Sequence, residues 1–80
     1  MTSNRGSSSL IAGSNQVKKA VMQEAVSLVY VACDAETSLR VSVLEMCRKN
    51  SIPTDESKTA GELGAMCGID VKCAVCGLKR

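Results

Sequence analysis

Short apolar runs alternate with amphipathic stretches along most of the chain, and each run has the length of a short strand. A continuous and mostly apolar run with β-branched and aromatic residues occupies residues 27–33 (SLVYVAC), which is typical of a central strand covered on both faces. A shorter run at residues 10–12 ends at Gly13, a residue that tolerates unusual backbone angles. The four strands predicted in this way lie at residues 10–12, 27–33, 52–55 and 72–78.

Three helices are predicted between these strands, because apolar residues recur there at helical spacing. The first begins at Ser14 or Asn15 and the second follows Asp34, since these side chains can accept hydrogen bonds from the first amides of a helix. The second helix ends near Asn50, and the third covers residues 59–67. The order β-α-β-α-β-α-β predicts an α/β protein with helices on the faces of a sheet.

Composition limits both the core and the mode of binding. Eighty residues fit a single domain, predicted at residues 10–80 behind a flexible tail at residues 1–9 that is rich in Ser, Asn and Gly. The chain has no Trp or Phe and one Tyr, so its core is aliphatic and it offers no platform of stacked aromatic rings for nucleic acid bases. A net charge of +2 is too small for binding nucleic acid by charge alone.

The five cysteines are expected to be reduced and to pack as small hydrophobic residues. The polar opening predicts no signal peptide, and no apolar run has the length of a membrane span. Both observations indicate a cytoplasmic protein without a membrane partner, in which thiols stay reduced. No cofactor is predicted. The cysteines are Cys33, Cys47, Cys67, Cys73 and Cys76.

The most suggestive chemistry lies in residues 13–19 (GSNQVKK), where a glycine, a predicted helix start, two amide side chains and two lysines meet. Backbone amides at a helix start attract phosphate, amide side chains pair with base edges, and lysine reaches phosphates or purine acceptors. An ordinary helix cap at Asn15 with solvated lysines fits the same residues. These residues alone leave both interpretations open.

Three separated segments resemble the kink-turn-binding ribosomal protein family, in particular its short bacterial members. The segments are IAGSNQVKKAV, then VACDA followed by LEMCRKNSIP, then ELGAMCGIDVKCAV. They occur in the family's order and spacing, and the resemblance extends from residue 10 to residue 78. The resemblance implies a three-layer α/β/α sandwich with a small mixed sheet. It also implies an RNA ligand with a sharp bend built on tandem sheared G·A pairs and a flipped-out nucleotide.

The resemblance also implies which residues contact the RNA. Asn15 and Gln16 would touch the edges of the G·A purines, although many relatives have Glu where this chain has Gln16, and Lys19 would reach a guanine edge or the backbone. Gly13 and Ser14 would let the helix start approach the RNA closely. At the other end of the chain, a loop would cover the flipped-out base by apolar contact, and a lysine after it would reach a phosphate or solvent. This second set comprises Ile69, Asp70, Val71 and Lys72.

The partner implied is therefore structured RNA, either ribosomal RNA, a riboswitch or a ribonucleoprotein scaffold, bound by a monomer. Exposed bends and bulges display base edges that A-form grooves hide. The sequence does not choose among these RNAs.

Two other classes of function compete with RNA binding. The CAVC segment at residues 73–76, with Cys67 nearby, could form a redox or metal-binding module. Strand alternation is expected to place Cys73 and Cys76 on opposite faces, which disfavours a shared metal ion. A protein–protein adaptor without RNA is the other alternative. An enzyme is disfavoured, because the chain has no His, no phosphate-binding glycine loop and no paired carboxylates.

Overall fold

The computed structural model describes residues 10–80, and the tail predicted at residues 1–9 lies outside the described residues. Strands and helices alternate in the order predicted from the sequence, with somewhat different bounds. The elements are β1 (Leu10–Ala12), α1 (Ser14–Met22), β2 (Val26–Val31), α2 (Thr37–Lys49), β3 (Thr54–Asp55), α3 (Ala60–Met66) and β4 (Val75–Lys79).

The strands form one mixed sheet in the order β1-β4-β2-β3. β4 lies between β1 and β2 and is antiparallel to both, whereas β2 and β3 are parallel. The long apolar run therefore becomes a central strand, as predicted. Register places Ala12 opposite Cys76 and Tyr30 opposite the same residue on the other side of β4.

Two apolar cores lie on the two faces of this sheet. The larger core joins α1 and α2 to one face through valines such as Val17, Val29 and Val43. The smaller core joins α3 to the other face through Leu63 and Cys76. Two helices on one face and one on the other make the three-layer α/β/α sandwich that the resemblance implied.

Side-chain capping differs from the prediction at two of the three helices. Gly13, not Ser14 or Asn15, is the N-cap of α1, and no side chain caps that helix. Glu36 precedes α2, likewise without a side-chain cap, so the cap predicted at Asp34 is wrong. The Oδ1 atom of Asp34 instead accepts a hydrogen bond of 2.9 Å from the amide of Ala60, at the start of α3. Asp34 thus ties the end of β2 to a helix that is distant in sequence.

The last strand begins later than predicted, at Val75 rather than at residue 72. Cys73 precedes the strand, so its direction does not follow strand alternation. Cys73 and Cys76 are both buried in the smaller core, and the prediction that they lie on opposite faces is wrong.

Candidate nucleic-acid interface

The start of α1 is an open helix N-terminus. Gly13 has φ +99°, a conformation that side-chain-bearing residues rarely adopt, and its amide donates to the carbonyl oxygen of Val75 at 3.0 Å. The chain therefore turns sharply from β1 into α1 against the first residue of β4. Because α1 has neither a side-chain cap nor an acidic residue in its first turn, its first amides can interact with an anionic ligand.

The polar residues of α1 that the sequence singled out are on its exposed side. Val17 and Val21 are fully buried against the sheet, whereas Asn15, Gln16 and Lys19 are exposed. Residues three and four positions apart on a helix are neighbours. Lys19 is therefore within one helical turn of both amide side chains, and Ser14 is half-buried at the turn.

The loop at residues 68–72 is held tightly against α3. The amide of Ile69 donates to the carbonyl of Gly64 at 3.1 Å, and that of Cys73 donates to the carbonyl of Ala60 at 3.0 Å. A Cβ atom on Gly64 would overlap the carbonyl oxygen of Val71 and lie 3.2 Å from its carbonyl carbon. Only glycine lets the loop approach the helix this closely, so the loop is fixed by the helix beneath it.

Two apolar side chains of this fixed loop point away from the core. Ile69 is 39% exposed and Val71 is 67% exposed, although most valines of the described chain are fully buried. Asp70 and Lys72 are exposed beside them. Because Met22 is 77% exposed elsewhere on the surface, exposure alone does not mark a binding site. What distinguishes this loop is that its backbone is hydrogen-bonded to α3 while its apolar side chains face solvent.

The α1 start and the loop lie at the same end of the sheet. Gly13 is hydrogen-bonded to the first residue of β4, and Lys72 ends the loop only three positions before that residue. The amide of Ala32, at the end of β2, donates to the carbonyl of Ala74 at 2.8 Å. The fold therefore places the two sequence segments, which are more than fifty positions apart, at one end of the molecule.

Sequence reasoning missed two cations beside this surface. A groove runs along α1 and the edge strand β1. It is lined by Gln16 and Lys19 from the helix, by Lys79 from the end of β4, and by Arg80, which follows that strand. Lys79 and Arg80 are the last two residues of the sequence and match no motif. They lie near α1 because β1 pairs with β4, with Leu10 opposite Leu78. One carboxylate, Glu24, also lines the groove.

The remaining ionisable groups do not suggest a metal centre or a proton-transfer site. The side-chain and backbone hydrogen bonds of Ser57, and to a smaller extent the charge of Lys58, lower the pKa of Asp55. Within residues 10–80, no three His, Cys, Asp or Glu side chains are grouped so that they could hold a metal ion. No helix in that range is long and apolar enough to cross a membrane.

Sequence comparison identifies the family. The model of the ribosomal protein L7Ae/L30e/S12e/Gadd45 family matches residues 2–80. The chain belongs to this family. An RNA-binding protein of Caldanaerobacter subterraneus is 41% identical over 64 residues, which cover 80% of this chain and 78% of the relative. An RNA-binding protein of Halalkalibacterium halodurans is 38% identical over 71 residues, covering 89% and 87%.

Solved structures share the fold. A Bacillus halodurans protein of unknown function superposes with a TM-score of 0.84 at 30% identity, over 91% of this chain and 73% of the other. A Giardia lamblia 15.5 kDa RNA-binding protein superposes with a TM-score of 0.85 over 94% of this chain and 65% of its own. At a sequence identity of 23%, this second likeness shows that the fold is shared and nothing more.

Proposed function

We propose that this protein binds RNA and recognises a kink-turn in ribosomal or ribosome-associated RNA, as a monomer in the cytoplasm. The observation that carries the proposal is the pairing of an open helix start with a rigid apolar loop at one end of the sheet. Family membership and two relatives named as RNA-binding proteins support it.

The helix half of the proposed site reads base edges. Asn15 and Gln16 offer amide groups that can both donate and accept, which suits the edges of sheared G·A pairs. Lys19, one turn later, supplies a charge-assisted hydrogen bond to a guanine edge or a phosphate. Gly13 and Ser14 turn the chain without a bulky side chain, so the RNA can approach the first amides of α1.

The loop half covers a displaced base. A base that leaves its stack exposes an apolar face, and burying that face against Ile69 and Val71 offsets part of the unstacking cost. The loop is already fixed by its bonds to α3, so little conformational entropy is lost when the base docks. Asp70 lies between Ile69 and Val71 in the loop, and in the proposal Lys72 reaches a phosphate.

The groove extends the proposed interface along the RNA backbone. Lys19 belongs both to the base-reading cluster and to the groove, and Lys79 and Arg80 continue the positive charge beyond it. We therefore place the phosphates of one RNA strand along α1, from the kink toward the end of β4. Few phosphates are neutralised in this arrangement, so affinity should fall only moderately with salt.

The test compares three RNAs of equal length: a kink-turn, the same strand with its sheared G·A pairs changed to Watson–Crick pairs, and a plain duplex. The protein should bind the kink-turn much more tightly than both controls. Titrations at several salt concentrations should show that this preference depends only weakly on salt. That result would distinguish recognition of RNA shape from binding by bulk charge. Equal affinity for the three RNAs would contradict the proposal.

A further inference from the structure

Three of the five thiols converge at the junction between α3 and β4. Cys67 is the C-terminal cap of α3 and is half-buried, while Cys73 and Cys76 are buried beside it in the smaller core. The Sγ atoms of Cys67 and Cys76 are 2.7 Å apart and share a hydrogen bond. The Sγ atom of Cys73 instead donates to the carbonyl oxygen of Val75 at 2.9 Å.

We propose that Cys67 and Cys76 are a site of reversible disulfide formation. A disulfide requires a sulfur–sulfur distance of about 2.05 Å, so the two atoms need to approach by only about 0.65 Å from their separation in the reduced protein. The other thiols are not equally placed. Cys73 also lies close to Cys67, but its thiol donates to a backbone carbonyl. Cys47 lies in the core on the other face, and Cys33 is exposed two residues after β2.

The chemistry is thiol–disulfide exchange with a small disulfide such as glutathione disulfide. The thiolate of Cys67, the more exposed member, attacks one glutathione sulfur and releases the first glutathione. The thiolate of Cys76 then attacks the Cys67 sulfur of the mixed disulfide and releases the second. The two protein thiols lose two protons and two electrons, and the oxidant becomes two glutathione thiols.

Proximity, rather than an activated thiol, drives this site. Burial raises the pKa of Cys67, against the opposing effect of its hydrogen bond with Cys76. Burial and that same bond raise the pKa of Cys76 well above the ordinary value. The first attack is therefore slow. Once it has occurred, the second thiol is already within reach of the mixed disulfide, so the intramolecular bond forms ahead of any other.

The disulfide would close a ring over residues 67–76, which contains the loop at residues 68–72. A closed ring limits the freedom of the unfolded chain, so the oxidised protein should melt at a higher temperature. It would also hold the loop more firmly against α3. Any effect of the disulfide on RNA binding depends on the function proposed above, whereas the formation of the disulfide does not.

The experiment equilibrates the full chain with glutathione disulfide, unfolds it in acid, alkylates the remaining thiols and maps the crosslink by mass spectrometry. We expect a Cys67–Cys76 crosslink in the parent and in the Cys73→Ser variant, reversed by dithiothreitol and absent in Cys67→Ser. Cys76→Ser should also lack the crosslink, but it alters a buried position and could unfold the protein. Cys67→Ser changes a half-buried position at the end of a helix, so it tests the same bond in a folded protein.

Two results would overturn the inference: a crosslink that involves Cys73 or Cys33 in place of this pair, or five free thiols at equilibrium. A change in kink-turn affinity between the reduced and oxidised parent would show that the ring controls the loop. An established crosslink in a protein that binds no kink-turn RNA would contradict the proposed function and leave the disulfide intact.

Discussion

Replacing Gly64 with alanine tests whether the close packing of the loop on α3 is a structural requirement and a binding device. Gly64 is buried, and a methyl group there would overlap the carbonyl oxygen of Val71 and lie 3.5 Å from the Cα atom of Lys72. Both neighbours are backbone atoms of the loop. They cannot move aside as a flexible side chain would, so the substitution must shift either the loop or the helix.

The expected cost follows from two opposing effects. Overpacking a tight contact costs about 1–3 kcal/mol, while replacing glycine by alanine within a helix recovers up to about 1 kcal/mol. The net loss in the free energy of unfolding should therefore be about 0–2 kcal/mol, and toward the upper end because the overlapped atoms belong to the backbone. For a domain of this size, each kcal/mol lowers the melting temperature by roughly 4–8 °C.

Gly61→Ala in the same helix is the matched control. A methyl group at Gly61 would meet only the Oγ1 atom of Thr59, at an ordinary 3.8 Å, so this variant should be as stable as the parent or slightly more stable. Urea denaturation followed by circular dichroism measures both variants. Kink-turn affinity, measured at a temperature where both are folded, should fall for Gly64→Ala and stay unchanged for Gly61→Ala.

Two outcomes would refute this reasoning. If Gly64→Ala is no less stable than Gly61→Ala, the close approach of the loop to α3 is not what the fold requires. If Gly64→Ala is destabilised as expected but binds a kink-turn RNA at the parental affinity, the position of the loop does not matter for binding.

The other predictions concern the proposed RNA surface. Asn15→Ala and Lys19→Ala should each weaken kink-turn binding by about 1–3 kcal/mol with little change in the circular dichroism spectrum, because both side chains are exposed; folded variants with parental affinity would mean that α1 is not the site. Val71→Asp should weaken binding only to RNA that carries the flipped-out nucleotide, since it places an unpaired charge beside the base; equal losses on an RNA without that nucleotide would contradict apolar cover. Lys79→Ala should lower affinity for all RNAs that dock and reduce the salt slope by about one, whereas Lys49→Ala, outside the groove, should change neither; an unchanged slope for Lys79→Ala would remove the groove from the interface.

The main features of the fold could be predicted from the sequence because they depend on local patterns. The apolar run at residues 27–33 indicated a central strand, and apolar residues at helical spacing indicated three helices between the strands. The sequence did not reveal the role of Asp34, because the amide it binds belongs to Ala60, 26 positions away. The capping prediction considered only the helix that follows Asp34 in sequence, whereas the donor in the structure is the first amide of α3.

The same limit applies to the candidate site. The resemblance named the α1 start and the loop, but the reason for Gly64 lies in a contact with Val71 that no local pattern encodes. Lys79 was missed because its relation to α1 comes from the pairing of β1 with β4. Cys73 and Cys76 were predicted on opposite faces because the predicted strand included Cys73, whereas β4 begins only at Val75.

The weak net charge conceals a local asymmetry that favours the α1 surface. Several acidic side chains are engaged in the structure: Glu56 pairs with Arg40 at 2.7 Å, Glu62 caps α3 and Asp55 holds Ser57. No comparable carboxylate partner contacts Lys19 in the described chain, and residues 1–9 contain no Asp or Glu. These three carboxylates stabilise the fold around α2, β3 and α3, whereas Glu24 lines the groove near Lys19 and Asp70 belongs to the loop at the same end of the sheet. A net charge of +2 is therefore compatible with a binding surface for a polyanion, provided that recognition depends on where the few free cations lie.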